Sequence, residues 1–185
     1  MYMRNILLFA TVLMGAQVAA AQESRFGVPA TQADIDKSFW AVFPNGEFLP
    51  DGEGNVAAGR ELFEYNCNIC HNFPGENDPV KDEIGKLFGV EDKRGKANLE
   101  QTIGSYWPYS TTVFNYIRRA MPLLAPMSLT NSEYYSLTAY LLYENGVIAE
   151  DDIMNKDTLP KVEMPNKDGF VNAYPEVPEK YRAKP

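Results

Sequence analysis

Residues 55–71 read NVAAGRELFEYNCNICH, and this stretch decides the fold. Asn55 is a helix N-cap residue, and Val56, Gly59, Leu62, Phe63 and Cys67 recur at helical spacing, so the stretch predicts an amphipathic helix over residues 56–67. At the end of that helix stand Cys67, Cys70 and His71. Positions i, i+3 and i+4 of a helical turn share one face, so two thiols and an imidazole are presented together.

The chain has only two cysteines and one histidine in 185 residues. A disulfide across two intervening residues closes a very small loop and stabilises little. A structural zinc site needs four protein ligands, and the chain lacks them. A thioredoxin-like redox pair would want a βαβ setting that the sequence does not offer. What remains is C-x-x-C-H, the attachment pattern of one covalent haem c: Cys67 and Cys70 reach the vinyl groups and His71 is the proximal iron ligand.

With a single histidine, methionine becomes the natural sixth ligand. Outside the N-terminal segment the candidates are Met121, Met127, Met154 and Met164. Met121 precedes Pro122 at a predicted helix end, which favours it. Met127 follows Pro126 and is the alternative, and an open or weakly ligated iron is the third reading. Tyr106, Trp107 and Tyr109 are either donors to haem propionates or core aromatics whose polar tips find backbone partners. Arg118 and Arg119 either line the haem edge or lie on the solvated side of their helix.

The remaining chain organises around this turn. Arg4, the apolar run of residues 6–14 and the small residues at 17–21 read as a signal peptide over residues 1–21, cleaved after Ala20 or Ala21, with an uncleaved anchor as the lesser alternative. A periplasmic protein without a membrane anchor after cleavage is expected. Residues 22–54 carry Pro29, Pro44, Asn45-Gly46, Pro50 and Asp51-Gly52 and predict an irregular arm, with a short helix over residues 31–38 capped by Thr31. Residues 72–99 read as a loop-rich, solvated face. A helix is expected to begin near Pro108, burying Val113, Tyr116, Ile117 and Ala120, and to stop at Pro122. Thr130 and Glu133 form a capping box for a last helix that ends at Asn145-Gly146. Residues 147–185 predict a second irregular arm. The expected fold is therefore all-α: a body of residues 55–146 between arms of residues 22–54 and 147–185. The formal net charge of −8 argues against a nucleic-acid surface and suits docking to basic protein patches or plain solubility.

Gly59 to Phe63, the C-x-x-C-H, Met121-Pro122 and Leu137-Thr138-Ala139-Tyr140-Leu141 together resemble a small class I cytochrome c. The resemblance implies an N-terminal and a C-terminal helix crossing near a right angle, with Gly59 at the close approach and Phe63 and Tyr140 packed beside it. A narrower resemblance rests on FGVPAT at residues 26–31, TIGSYWPYSTTVFNYIRRAMP at 102–122, Ser128-Leu129-Thr130 and MPNKDGF at 164–170. These blocks are similar to the SoxD-like cytochrome subunits of the Sox sulfur-oxidation system, in their single-haem form. That resemblance implies Met121 as axial ligand and a molybdenum-containing sulfite or sulfane dehydrogenase as electron donor, with a downstream cytochrome or oxidase as acceptor. Another periplasmic dehydrogenase, such as one oxidising alcohols, is the alternative donor. A haem peroxidase or a haem sensor is the alternative class of protein.

Overall fold

The computed structural model describes residue 27 and residues 29–34, 41–89 and 101–170. The chain divides into two compact units, Met1–Phe39 and Trp40–Pro185. In the first, residues 32–34 form a helical turn. Thr31 caps it reciprocally: its hydroxyl accepts from the Asp34 N–H at 3.2 Å, and the Asp34 carboxylate accepts from the Thr31 N–H at 3.0 Å. The rest of the helix expected here, and the expected signal peptide, lie outside the described residues.

In the second unit the elements run β1 (Glu53–Asn55), α1 (Val56–Asn66), α2 (Pro79–Ile84), α3 (Ile103–Tyr106), α4 (Ser110–Ala120), α5 (Asn131–Glu144) and β2 (Ile153–Asn155), then a 3-10 turn at Leu159–Lys161. Asn55 caps α1 by accepting from the Ala58 N–H at 2.9 Å. The Thr130–Glu133 capping box starts α5, and Asn145 ends it. No helix among the described residues is long and apolar enough to cross a membrane.

Helices α1 and α5 cross where both have small side chains. A Cβ on Gly59 would overlap the Ser136 carbonyl and come within 2.7 Å of the Tyr140 Cβ, so only glycine permits this approach. Phe63 then packs on Tyr140 at 5.3 Å, Phe73 at 5.4 Å and Phe88 at 5.7 Å between ring centroids. Arg60 lies over the Tyr140 ring at 5.6 Å and pairs with Glu144 at 3.1 Å. Helix α5 is buried from Tyr134 to Leu142 rather than along a single stripe, because α1, α4 and β1 all pack against it.

Helix α4 departs from the expected face. Val113 and Ile117 are buried as the period requires, but Phe114 is buried too, against Tyr135 at 4.5 Å, while Tyr116 is 50% exposed and meets Trp107 edge-on. Its buried polar residues hold the two arms. Ser110 donates to the Leu159 carbonyl at 2.7 Å and Thr111 to the Pro44 carbonyl at 3.2 Å. The Asn115 side chain accepts from the Val42 N–H at 3.0 Å.

The described parts of the arms are more ordered than irregular composition suggests. Strands β1 and β2 pair antiparallel with Gly54 opposite Met154, and Gly54 sits so close to the Ser136 backbone that a side chain there would overlap it. Met154, Leu159 and Met164 are buried with the core.

Replacing Gly59 with Ala should cost about 1–3 kcal/mol, the usual penalty of forcing atoms into a packed contact. Urea unfolding of the intact protein reads this directly. A shift of the midpoint without a change in slope places the cost in the folded state.

Candidate functional site: the Cys67–His71 turn and its surroundings

The helical path of α1 continues one turn past its last residue. The Cys67 and Asn68 N–H groups donate to the Phe63 carbonyl at 2.9 and 3.0 Å, and those of Cys70 and His71 donate to the Cys67 carbonyl at 3.0 and 2.9 Å. This turn gives Cys67, Cys70 and His71 the i, i+3, i+4 placement that the spacing predicts. Both cysteines are of intermediate exposure. Burial, and secondarily the neighbouring Cys70, would push an unattached Cys67 thiol up to about 11.

The His71 ring is oriented from outside the turn. Its Nδ1 lies 3.2 Å from the Gly85 carbonyl. A carbonyl only accepts, so Nδ1 carries the proton and Nε2 keeps its lone pair. Burial lowers the His71 pKa, and the Gly85 hydrogen bond partly offsets that effect. The result favours a neutral imidazole with a free, directed Nε2, which is what a metal needs. Two thiols on one helical face beside such an imidazole fit haem c.

Gly85 ends α2, a helix that the reading of residues 72–99 as a loop did not anticipate. Asp78-Pro79 looks like a turn pair, but here Asp78 caps the Val80 N–H at 2.9 Å and Pro79 takes the first helical turn. The charged residues here are not simply a solvated face either. The Lys81 side chain is only 21% exposed and donates to the side chain of Asn68, between the two cysteines, at 3.0 Å.

The segment after Gly85 is anchored by Asn145. Its side chain, 1% exposed, accepts from the N–H groups of Gly89 and Gly104 at 3.0 and 3.1 Å. It donates to the carbonyls of Leu87 and Leu141 at 3.2 and 2.7 Å. Thr102, capping α3 with Ser105, also donates to the Gly89 carbonyl at 2.5 Å. Sequence reasoning identified Asn145 as a helix cap and missed that one amide ties three segments together. Four internal partners for one buried amide can be found only once those segments meet.

Met121 ends α4 as its C-cap, with its N–H on the Ile117 carbonyl at 2.9 Å, and its side chain packs against the core. The loop that follows is held at both ends by the Tyr134 hydroxyl, which donates to the Met121 carbonyl at 3.4 Å and accepts from the Leu129 N–H at 3.3 Å. Met127, in the same loop, is 39% exposed with φ 61°, and Leu123 and Leu124 face outward. Met154 and Met164 are buried in the core. Trp107 ends α3 half-buried. Tyr109, 40% exposed, precedes α4 on a groove of about 470 Å³ with Pro44, Pro160 and Lys161. Arg118 is half-buried and Arg119 exposed at the end of α4.

The cytochrome c family profile matches residues 56–144, from the first residue of α1 to the last of α5. A chain of the crystal structure of the sulfane dehydrogenase SoxCD from Paracoccus pantotrophus is 34% identical, with a TM-score of 0.71 over 82% of this chain and 74% of that one. The chain belongs to the cytochrome c family. Its membership implies covalent haem c, and Cys67 and Cys70 have the spacing of the attachment motif. This cytochrome is thus an electron-transfer protein rather than a catalyst, and its likeness to SoxCD fits a subunit of an oxidoreductase. No curated protein matches the chain.

Truncating Asn145 to Ala strands the N–H groups of Gly89 and Gly104, while the Leu87 and Leu141 carbonyls keep the backbone N–H groups of Ile103 and residue 145. The expected loss is about 2–4 kcal/mol, seen as a lower denaturation midpoint of a cytochrome that still carries its covalent haem.

Proposed function

We propose that this cytochrome is a periplasmic one-electron carrier that accepts electrons from a molybdenum-containing sulfite or sulfane dehydrogenase and passes them to a downstream cytochrome or oxidase. The observation that carries the reading is the 34% identity to a chain of SoxCD, itself a sulfane dehydrogenase, over 82% of this chain. The sequence beginning at Arg4 and ending at the Ala19-Ala20-Ala21 run supports export by a cleaved signal peptide.

In this reading Cys67 and Cys70 tether the haem, and His71 and Met121 are the iron ligands. When bound, the haem supplies a one-electron iron couple. The chain's own residues do the rest. Gly85 fixes the His71 tautomer, as its carbonyl lies 3.2 Å from Nδ1. Met121 is presented from a helix end whose carbonyl is held by Tyr134, whereas Met127 is partly exposed further along the same loop. Trp107 and Tyr109, beside α3 and α4, would donate to the haem propionates.

Met121→Ala should abolish the weak long-wavelength absorption of a thioether–iron bond in the oxidised protein and lower the reduction potential, because methionine ligation favours reduced iron. Met127→Ala should leave both in place. Absorption spectra and redox titrations of the two variants check this, and the reverse pattern would move the ligand to Met127.

The donor is tested by mixing the oxidised cytochrome with a sulfite or sulfane dehydrogenase and its substrate. A formal net charge of −8 favours a basic rim on the donor. Reduction should therefore be fast at low salt and slow as ions screen the encounter, with a Debye length of about 8 Å at physiological strength. Reduction by an alcohol-oxidising periplasmic enzyme, with none by the sulfur system, would overturn the sulfur assignment.

A further inference from the structure

The orientation of His71 depends on where the Gly85 carbonyl lies, and the Gly85 N–H ties it back to α2 by donating to the Lys81 carbonyl at 3.4 Å. A Cβ at Gly85 would meet no atom within 4 Å, and its φ of 143° leaves the residue its full glycine freedom. Helix α2, which delivers it, has six residues and none of them is buried. A helix this short is not stable by itself in water, and apolar burial does not fix this one. Polar links must therefore hold it in place.

Those links converge on Asn72, the residue directly after His71. Its amide nitrogen donates to the Asp82 carboxylate at 2.8 Å and to the Asp78 carbonyl at 3.1 Å. Its amide oxygen accepts from the Asp78 N–H at 3.3 Å. One side chain thus grips both the start of α2 and its middle. Asp82 is further paired with Lys86 at 3.4 Å, and the neighbouring Lys81 donates to the Asn68 side chain at 3.0 Å. A cavity of about 160 Å³, lined by Asn72, Phe73, Asp82, Gly85 and Phe88, lies alongside.

We propose that Asn72 and Asp82 form a positioning clasp that presses α2 onto the attachment turn and thereby sets the His71 imidazole on the Gly85 carbonyl. The inference rests on His71 as an iron ligand. Donation from Nδ1 makes the imidazole a more electron-rich ligand, which stabilises oxidised iron and lowers the reduction potential. Loosening the clasp weakens that donation, so the potential rises.

The test uses the haem-loaded protein with Asn72→Ala and Asp82→Ala, and with Asp82→Asn as the conservative variant that keeps an oxygen acceptor for Asn72. Arg60→Ala, which removes the Glu144 ion pair elsewhere on α1, controls for a general loss of stability. Two quantities are read: solvent exchange of the His71 Nδ1 proton by NMR of the reduced protein, and the reduction potential. In both alanine variants exchange should accelerate by about tenfold, the scale of one weakened hydrogen bond, and the potential should rise. Asp82→Asn should stay near the parent protein, and Arg60→Ala should leave both readings unchanged. Unaltered exchange and potential in the alanine variants would overturn the clasp, as would a fall in potential or equal changes in Arg60→Ala. A parent protein whose His71 ring shows no sign of iron ligation would instead overturn the ligand assignment.

Discussion

Helices α1 and α5 meet at Gly59 and Ser136 at a separation that leaves no space for a single additional methyl group. From that contact the rest of the molecule follows. It brings Phe63 onto Tyr140, which gathers Phe73 and Phe88 into one aromatic cluster directly behind the attachment turn. It also sets the direction in which α1 points when it ends at Cys67. A small displacement of the crossing would move the thiols and His71 together, because they lie on a continuation of the same helix. Ser136 serves a second close neighbour, Gly54, so the strand pair and the helix crossing share one point on α5.

Apolar packing and polar anchoring divide the remaining work. The core is built of aromatic and aliphatic side chains on α1, α4 and α5. The segments that are too short or too polar to bury much surface are held by hydrogen-bonding side chains, buried at Asn145, Ser110 and Thr111 and half-buried at Asn72. Asn145 holds residues 87–89 and α3, Ser110 and Thr111 hold the arms, and Asn72 holds α2. Such groups are stabilising only when their partners are present, since an unpaired buried amide costs more than a satisfied one contributes. The arrangement places well-packed residues behind the site and hydrogen-bonded segments around His71. In a protein that only moves an electron, the ligand's hydrogen bond is one of the few levers available for setting a potential.

Electron transfer also places a demand on the surface. The exposed Leu123 and Leu124 lie on the loop that begins at Met121, and Arg118 and Arg119 stand just before it in a chain whose overall charge is negative. Apolar and cationic groups are thus concentrated at the end of α4. The Tyr134 hydroxyl, buried on α5, closes this loop at both ends, and within it the Ala125 N–H donates to the Pro122 carbonyl at 2.8 Å.

The residues of the sequence determine what depends on local spacing. Cys67, Cys70 and His71 share a face because a helical turn puts i, i+3 and i+4 together, and the caps at Asn55 and Thr130 start their helices wherever the chain goes next. The pairing of Gly59 with Phe63 and Tyr140 was expected from the resemblance to a class I cytochrome c and not from local spacing. Tertiary structure decided what depends on distant neighbours. Tyr116 fits the apolar period of α4 yet is exposed, while Phe114 is buried, because the partner surface comes from Tyr134 and Tyr135 on another helix. Helix α2 looked like solvated loop because its support is the amide of Asn72 and not an apolar stripe. The Gly85 carbonyl that orients His71 carries no sequence signal at all, as every residue has a carbonyl and only the fold brings this one to the ring.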